Sequence, residues 1–158
     1  MISLIACVDS ENGIGLDGTI PWSLKPDMKY FREMTVNTII IMGRRTWESI
    51  GSKPLPKRVN IVVTSNPAAI DSNAIACICM KDAIDLAASL LKPIFIIGGS
   101  AIYKETIPFA TRIYLTRIKR PFNCDTFFPF QSIEHFKSDI GPWNEYKDIE
   151  YRFETYSK

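Results

Sequence analysis

The sequence predicts an α/β chain built on a largely parallel sheet, with antiparallel strands added at one edge. Three observations lead there. Short apolar, β-branched runs alternate with helical segments through the first two thirds of the chain, strands alone close it, and no repeat, low-complexity tract or linker divides its 158 residues. The chain is therefore expected to form one domain over residues 1–158, long enough to bury most of its apolar surface.

"ISLIACV", residues 2–8, is an apolar run bounded by Asp9, Asn12 and Gly13, and so a buried strand. "ENGIGLDGTIPWS", residues 11–23, follows as thirteen residues of loop. That is long for a compact domain and suggests a functional lid. A helix should start near Pro26, because proline suits a first helical position, and end near Thr35. "TIIIMG" is a strand and "RRTWESI" a short helix; "RVNIVVTSNP" is a strand that stops at turn residues. "AIACICM" reads as a strand, "KDAIDLAASLL" as a helix, "PIFIIGG" as a strand and "SAIYKETI" as a helix. "RIYLTRI", "HFKSDI" and the alternating "IEYRFETY" complete the chain as strands.

Composition narrows the function. A net charge of +2 is too slight to suggest nucleic acid or a membrane surface as partner. The local distribution says more, because Arg44, Arg45, Lys53, Lys57 and Arg58 fall within fifteen residues, enough for a small phosphorylated or acidic ligand. With one histidine, the four cysteines Cys7, Cys77, Cys79 and Cys124 lack the spaced partners of a structural zinc site. They read as small hydrophobes in a reducing compartment. The first residues carry no basic leader, and the expected location is the cytoplasm.

Gly13, Gly15 and Gly18 spell G-x-G-x-x-G after the first strand, but Thr19, Ile20, Pro21 and Trp22 intervene before any helix. A dinucleotide fingerprint needs its last glycine to run straight into the helix, so this is a flexible loop. Two other junctions suit phosphate better. Gly43 separates a strand from a helix that begins Arg44, Arg45, Thr46, and Gly98 and Gly99 separate another strand from its helix. Free amides at a helix start favour acidic neighbours, so two arginines there are costly unless an anion sits among them. Thr64 and Ser65 add hydroxyls at a third strand end. Asp27 is the remaining candidate. Aspartate in a first helical turn is ordinarily stabilising. Yet it shares a helix face with Phe31, with Trp22, Leu24, Met28 and Tyr30 around it and no cation close in sequence. If that face turns inward, the carboxyl should either hydrogen-bond a cationic ligand or be protonated.

Taken together, "ISLIA", "IPW" with Asp27 five residues after Trp22, "IMGRRTWESIG", "NIVVTS", "IIGGSAIY", "IYLTRI" and "DTFFP" resemble the bacterial type of the dihydrofolate reductase family over essentially the whole chain. The resemblance implies a single domain with a central eight-stranded, mostly parallel mixed sheet flanked by four helices. It implies NADPH as cofactor, dihydrofolate as substrate, no metal, no nucleic acid or membrane partner, and no need for more than a monomer. By the same resemblance Asp27 would hold the pterin's amino-pyrimidine edge, with Trp22 and Thr116 ordering the water and hydrogen bonds around it. Ile5, Cys7, Met28, Phe31, Ile50, Leu55 and Ile97 would wall the substrate, and Arg58 would take the glutamate tail's α-carboxylate. Gly43, Arg44, Arg45, Thr46, Thr64, Ser65, Gly98, Gly99, Ser100 and Ala101 would hold the cofactor's phosphates, with a cis bond between Gly98 and Gly99. Ile14, Ile20 and Tyr103 would pack near the nicotinamide, with Cys7 and Ile97 beside them.

The chain departs from that pattern in a few places. Ile20 stands where well-studied relatives have methionine, and Arg45 where histidine is frequent. Cys124 stands where a glycine is frequent, before an Asp125 expected to bond the lid backbone, and one extra residue falls near Ser52 and Lys53. A related pterin or flavin-precursor reductase of the same fold is the alternative. The Trp22–Asp27 pair and Arg58, which serve folate, argue against it.

Overall fold

Four consecutive side chains, Ile39 to Met42, are wholly buried, which requires a strand covered on both faces. A computed structural model of the chain, which describes residues 1–70 and 73–158, places them at the centre of the sheet. The strands are β1 (Ile2–Val8), β2 (Gly13–Gly15), β3 (Ile39–Gly43), β4 (Val59–Val63), β5 (Ile75–Cys77), β6 (Ile94–Ile96), β7 (Arg112–Ile118), β8 (Thr126–Phe127), β9 (Lys137–Ile140), β10 (Asn144–Tyr146) and β11 (Ile149–Ser157). The helices are α1 (Lys25–Thr35), α2 (Arg44–Ser49), α3 (Met80–Ser89) and α4 (Ser100–Thr106).

The main sheet runs β10-β11-β7-β1-β6-β3-β4-β5, eight strands along the path. Every pairing from β7 to β5 is parallel, and β11 closes antiparallel on β7. A ninth segment, β9, also pairs with β11. It lies beside residues 154–157 while β10 lies beside 149–151, so the two share one edge position. The break between them falls at Gly141, whose amide donates to the Phe153 carbonyl at 2.9 Å.

Alternation along the strands divides the core. Leu4, Val8, Ile39, Ile41 and Ile96 face α3 and α4, whose Met80, Ala83, Ala87 and Tyr103, with Ile107 just past α4, complete one cluster. Ile5, Ile40, Met42, Val62 and Phe95 face the other way, toward α1 and toward Trp47 of α2. Among the described residues no helix is long and apolar enough to cross a membrane.

The sequence reading needs three corrections. The stretch 11–23 is not all loop, because Gly13–Gly15 pairs with Thr126–Phe127 in a separate two-stranded sheet. That pairing and β10 are too short for any periodicity to register. The "AIACICM" and "PIFIIGG" strands are cut to three residues each, with Met80 already in α3.

Candidate active site

Because β7, β1, β6, β3 and β4 are parallel neighbours, their carboxyl ends share one edge of the sheet. Ligands of open α/β sheets bind across such an edge. Helix α1 lies against the sheet with Asp27 in its first turn, its amide bonded to the Leu24 carbonyl at 3.0 Å. The half-buried Asp27 carboxylate receives a hydrogen bond from the Thr116 hydroxyl at 2.6 Å, across 89 positions of sequence. No cation pairs with it among the described residues. Burial pushes its pKa above the ordinary carboxylate value, against the opposing hydrogen bonds of Thr116 and Cys7.

The expected apolar walls gather on the same face. Ile5, Phe31, Ile50, Leu55 and Ile97 belong to one cluster, and Cys7 and Trp22 to the adjoining one. Trp22 meets Phe122 edge-on at 5.2 Å. Met28 turns outward and is 63% exposed. Arg58 sits 6.0 Å over the Phe31 ring and donates to the Thr35 hydroxyl and the Pro56 carbonyl, each at 3.0 Å. No carboxylate pairs with it among the described residues, so its charge is available to a ligand. Sequence reasoning passed over Asn60, which is buried and clamps Leu55 by accepting from its amide at 2.9 Å and donating to its carbonyl at 3.0 Å. A lone asparagine inside an apolar strand was the available signal.

The two glycine junctions lie side by side because β3 and β6 pair. The Gly43 amide donates to the Gly98 carbonyl at 2.9 Å, and the Gly98–Gly99 bond is cis. Gly98 has φ 119°, and a Cβ there would stand 3.2 Å from the Tyr103 hydroxyl, so backbone alone fits. Neither α2 nor α4 has a side-chain cap or an acidic residue in its first turn. Their exposed amides and the flanking Arg45 suit an anion such as a pyrophosphate. Arg44 is less free, since both Glu48 oxygens accept from it at 2.9 Å. The Thr64 hydroxyl, at the end of the neighbouring β4, accepts from the Asn66 amide at 3.1 Å and Ser65 is exposed. Ser100 donates to the Phe127 carbonyl at 2.7 Å, next to an exposed Ala101. The buried Tyr103 hydroxyl donates to the Ile5 carbonyl at 2.7 Å.

The segment 11–23, expected from the sequence to form a lid, is held at two points. Asp125 accepts from the Asp17 amide at 3.0 Å, and its own amide donates to the Gly15 carbonyl at 2.9 Å. At the root, the buried Asp9 accepts from the amides of Glu11, Gly13 and Phe122 at 2.8–2.9 Å. Burial raises its pKa, but these bonds together outweigh it and hold the carboxyl below the usual range. The aspartate turn "DSENG" was the legible sign of this hub. Cys124 packs here against Gly13, and burial with the Asp9 charge pushes its thiol up to about 11. Ile14 packs on the core while Ile20, 63% exposed, projects from the same segment.

A separate depression of about 400 Å³, lined by Ser10, Asn12, Arg117, Lys119, Trp143 and Arg152, lies away from Asp27. Its buried Glu154 already accepts from Arg117, Arg152 and Tyr156, so that network is satisfied.

Comparison with known proteins agrees with this geometry. A family model described as dihydrofolate reductase matches residues 1–158. A dihydrofolate reductase of Bacillus subtilis is 38% identical over 161 aligned positions, covering 100% of this chain and 95% of its own. One of Aedes albopictus is 36% identical, covering 99% and 96%. Among solved structures, dihydrofolate reductase from Enterococcus faecalis complexed with NADP(H) and RAB-propyl superimposes with a TM-score of 0.88 at 34% identity, covering 99% of this chain and 95% of that one.

Proposed function

This chain belongs to the dihydrofolate reductase family, and from that premise we propose how its residues carry out the NADPH-dependent reduction of 7,8-dihydrofolate to 5,6,7,8-tetrahydrofolate. The observation that carries the reading is Asp27: an ionisable group on an apolar face, bonded to Thr116 and lacking any cationic partner among the described residues. Such a carboxylate is completed by a ligand that presents N–H donors and positive charge, as a pterin's amino-pyrimidine edge does.

Asp27 anchors that edge and its charge makes protonation of nitrogen 5 easier. Trp22 and Thr116 order the water that delivers the proton. Ile5, Cys7, Phe31, Ile50, Leu55 and Ile97 exclude other water and fix the ring, with Met28 closing on the bound substrate from outside. Arg58 takes the α-carboxylate of the glutamate tail in a paired, charge-assisted contact. Bound NADPH supplies the hydride that goes to carbon 6. The amides and side chains of Gly43, Thr46, Gly98, Gly99, Ser100 and Ala101 receive its pyrophosphate, and Arg44, Arg45, Thr64 and Ser65 its 2′-phosphate. Ile14, Ile20 and Tyr103 flank the nicotinamide as the lid closes.

The reading extends to a cytoplasmic monomer, with the four cysteines as free thiols. The direct test mixes the protein with NADPH and dihydrofolate and follows the loss of reduced-nicotinamide absorbance. Consumption that requires both reagents supports the assignment; none from a folded sample removes it.

A further inference from the structure

Asn60 is a polar side chain set among apolar ones. In the parallel pairing of β3 with β4 it lies opposite Ile40, so it leaves the sheet on the face where Ile40 and Val62 cluster with Ile5 and Phe31. It is 3% exposed, and a buried amide is costly unless its hydrogen bonds are made. All of its bonds go to one short stretch of chain. The carboxamide oxygen accepts from the Leu55 amide at 2.9 Å, and the nitrogen donates to the carbonyls of Leu55 and Arg58, each at 3.0 Å. Those partners fix which way the amide points, since a backbone N–H only donates and a carbonyl only accepts.

The stretch that Asn60 grips has little regular structure of its own. Residues 51–58 lie between α2 and β4 and belong to no helix or strand. Pro54 and Pro56 bring no N–H, and Lys57 stands at φ 61°. The Arg58 side chain braces on this same stretch through the Pro56 carbonyl, and on the end of α1 through the Thr35 hydroxyl. We propose that Asn60 is a positioning residue for the glutamate tail of the substrate. By fixing the backbone of Leu55 and Arg58 it seats the one as a wall and aims the guanidinium of the other, and so sets the preference for a tailed folate over a bare pterin. This rests on the reductase reading, with Arg58 as the tail's ligand. None of the three bonds reaches Asp27 or Thr116, so reduction of a bare pterin does not depend on the clamp.

The test compares kcat/KM for dihydrofolate with kcat/KM for a dihydropterin that carries a methyl group in place of the tail. The chains are the parent, Asn60→Ala, Arg58→Leu and the double variant. A ratio of two substrates on one sample does not depend on the active fraction, so partial unfolding leaves it unchanged. In Asn60→Ala the ratio should fall by about ten- to a hundredfold, through the KM for dihydrofolate more than through kcat. In a chain already carrying Arg58→Leu the same replacement should change it by less than about threefold, because the group that is aimed has gone. Should the alanine chain not fold, Asn60→Ser, which keeps a polar group but only one donor, takes its place and should lower the ratio likewise. Equal losses on the two substrates, or a fall as large without Arg58 as with it, would mean that Asn60 serves stability alone; either overturns the proposal and leaves the reductase reading intact. A parent that consumes no NADPH with either substrate would instead remove the reductase reading on which this rests.

Discussion

Replacing Asp27 with asparagine should make the ligand-free protein more stable at neutral pH while disabling it. The Asp27 carboxylate is half-buried on an apolar face, burial raises its pKa above the ordinary value, and no cation offsets it among the described residues. The asparagine side chain would keep the shape and, through its carbonyl oxygen, the 2.6 Å acceptor for Thr116. It would remove the charge and weaken one charge-assisted bond. The first effect exceeds the second, and the expected gain is about 1 kcal/mol, reduced because the group is still partly solvated. The pH dependence follows from the direction of the shift. A carboxyl with a raised folded pKa contributes stability that is fully present below its ordinary pKa and is lost as pH rises through the folded value. The advantage of Asp27→Asn should therefore be absent in acid, grow across that interval and stay flat above it. Urea denaturation of parent and mutant at several pH values measures this. A mutant no more stable than the parent at neutral pH, or a gain independent of pH, would refute the claim that this charge is held at a cost.

Three further outcomes follow from the remaining parts of the site. Replacing Arg44 and Arg45 with glutamine should raise the KM for NADPH at least about a hundredfold and leave that for NADH nearly unchanged, since each charge-assisted bond to a 2′-phosphate is worth about 1.5–3 kcal/mol. Equal losses with both cofactors would count against the assignment. Arg58→Leu should weaken dihydrofolate binding by about 2–4 kcal/mol yet leave reduction of a tail-less pterin untouched; loss on both would mean that its bonds to Thr35 and Pro56 matter more than any ligand. Gly13→Ala would set a Cβ 2.5 Å from the Cys124 Cβ and 2.9 Å from Asp9. It should cost about 1–3 kcal/mol in a urea melt, and Cys124→Gly in the same chain should recover most of it.

What the sequence made legible was what repeats or punctuates. Eight of the eleven strands and all four helices follow from apolar periodicity and from glycine or proline at their ends. The β2–β8 pairing and β10 were not legible, because two or three residues carry no period, and β8 lies far along the chain from β2. The same limit governs the site. The oddity of Asp27 shows in its own neighbours, but the bond from Thr116 spans 89 positions and the Cys7–Thr116 adjacency exists only through the β1–β7 register. Cys7 in an apolar run reads as a hydrophobe, and only that register sets it beside the Thr116 that bonds Asp27. Arg44 reads as a free anion ligand until the helix brings Glu48 round to it.

The central claim is that the Asp27 charge favours a proton on the substrate's nitrogen 5. Single-turnover hydride transfer by Asp27→Asn, followed from about pH 5 to about pH 8, tests it most directly. Without the charge, solution has to protonate the pterin. The rate at neutral pH should fall by about 10²–10⁴, then climb roughly tenfold for each unit that pH falls, while the parent levels off at a higher pH. A mutant whose rate is low but flat across that range would contradict the account.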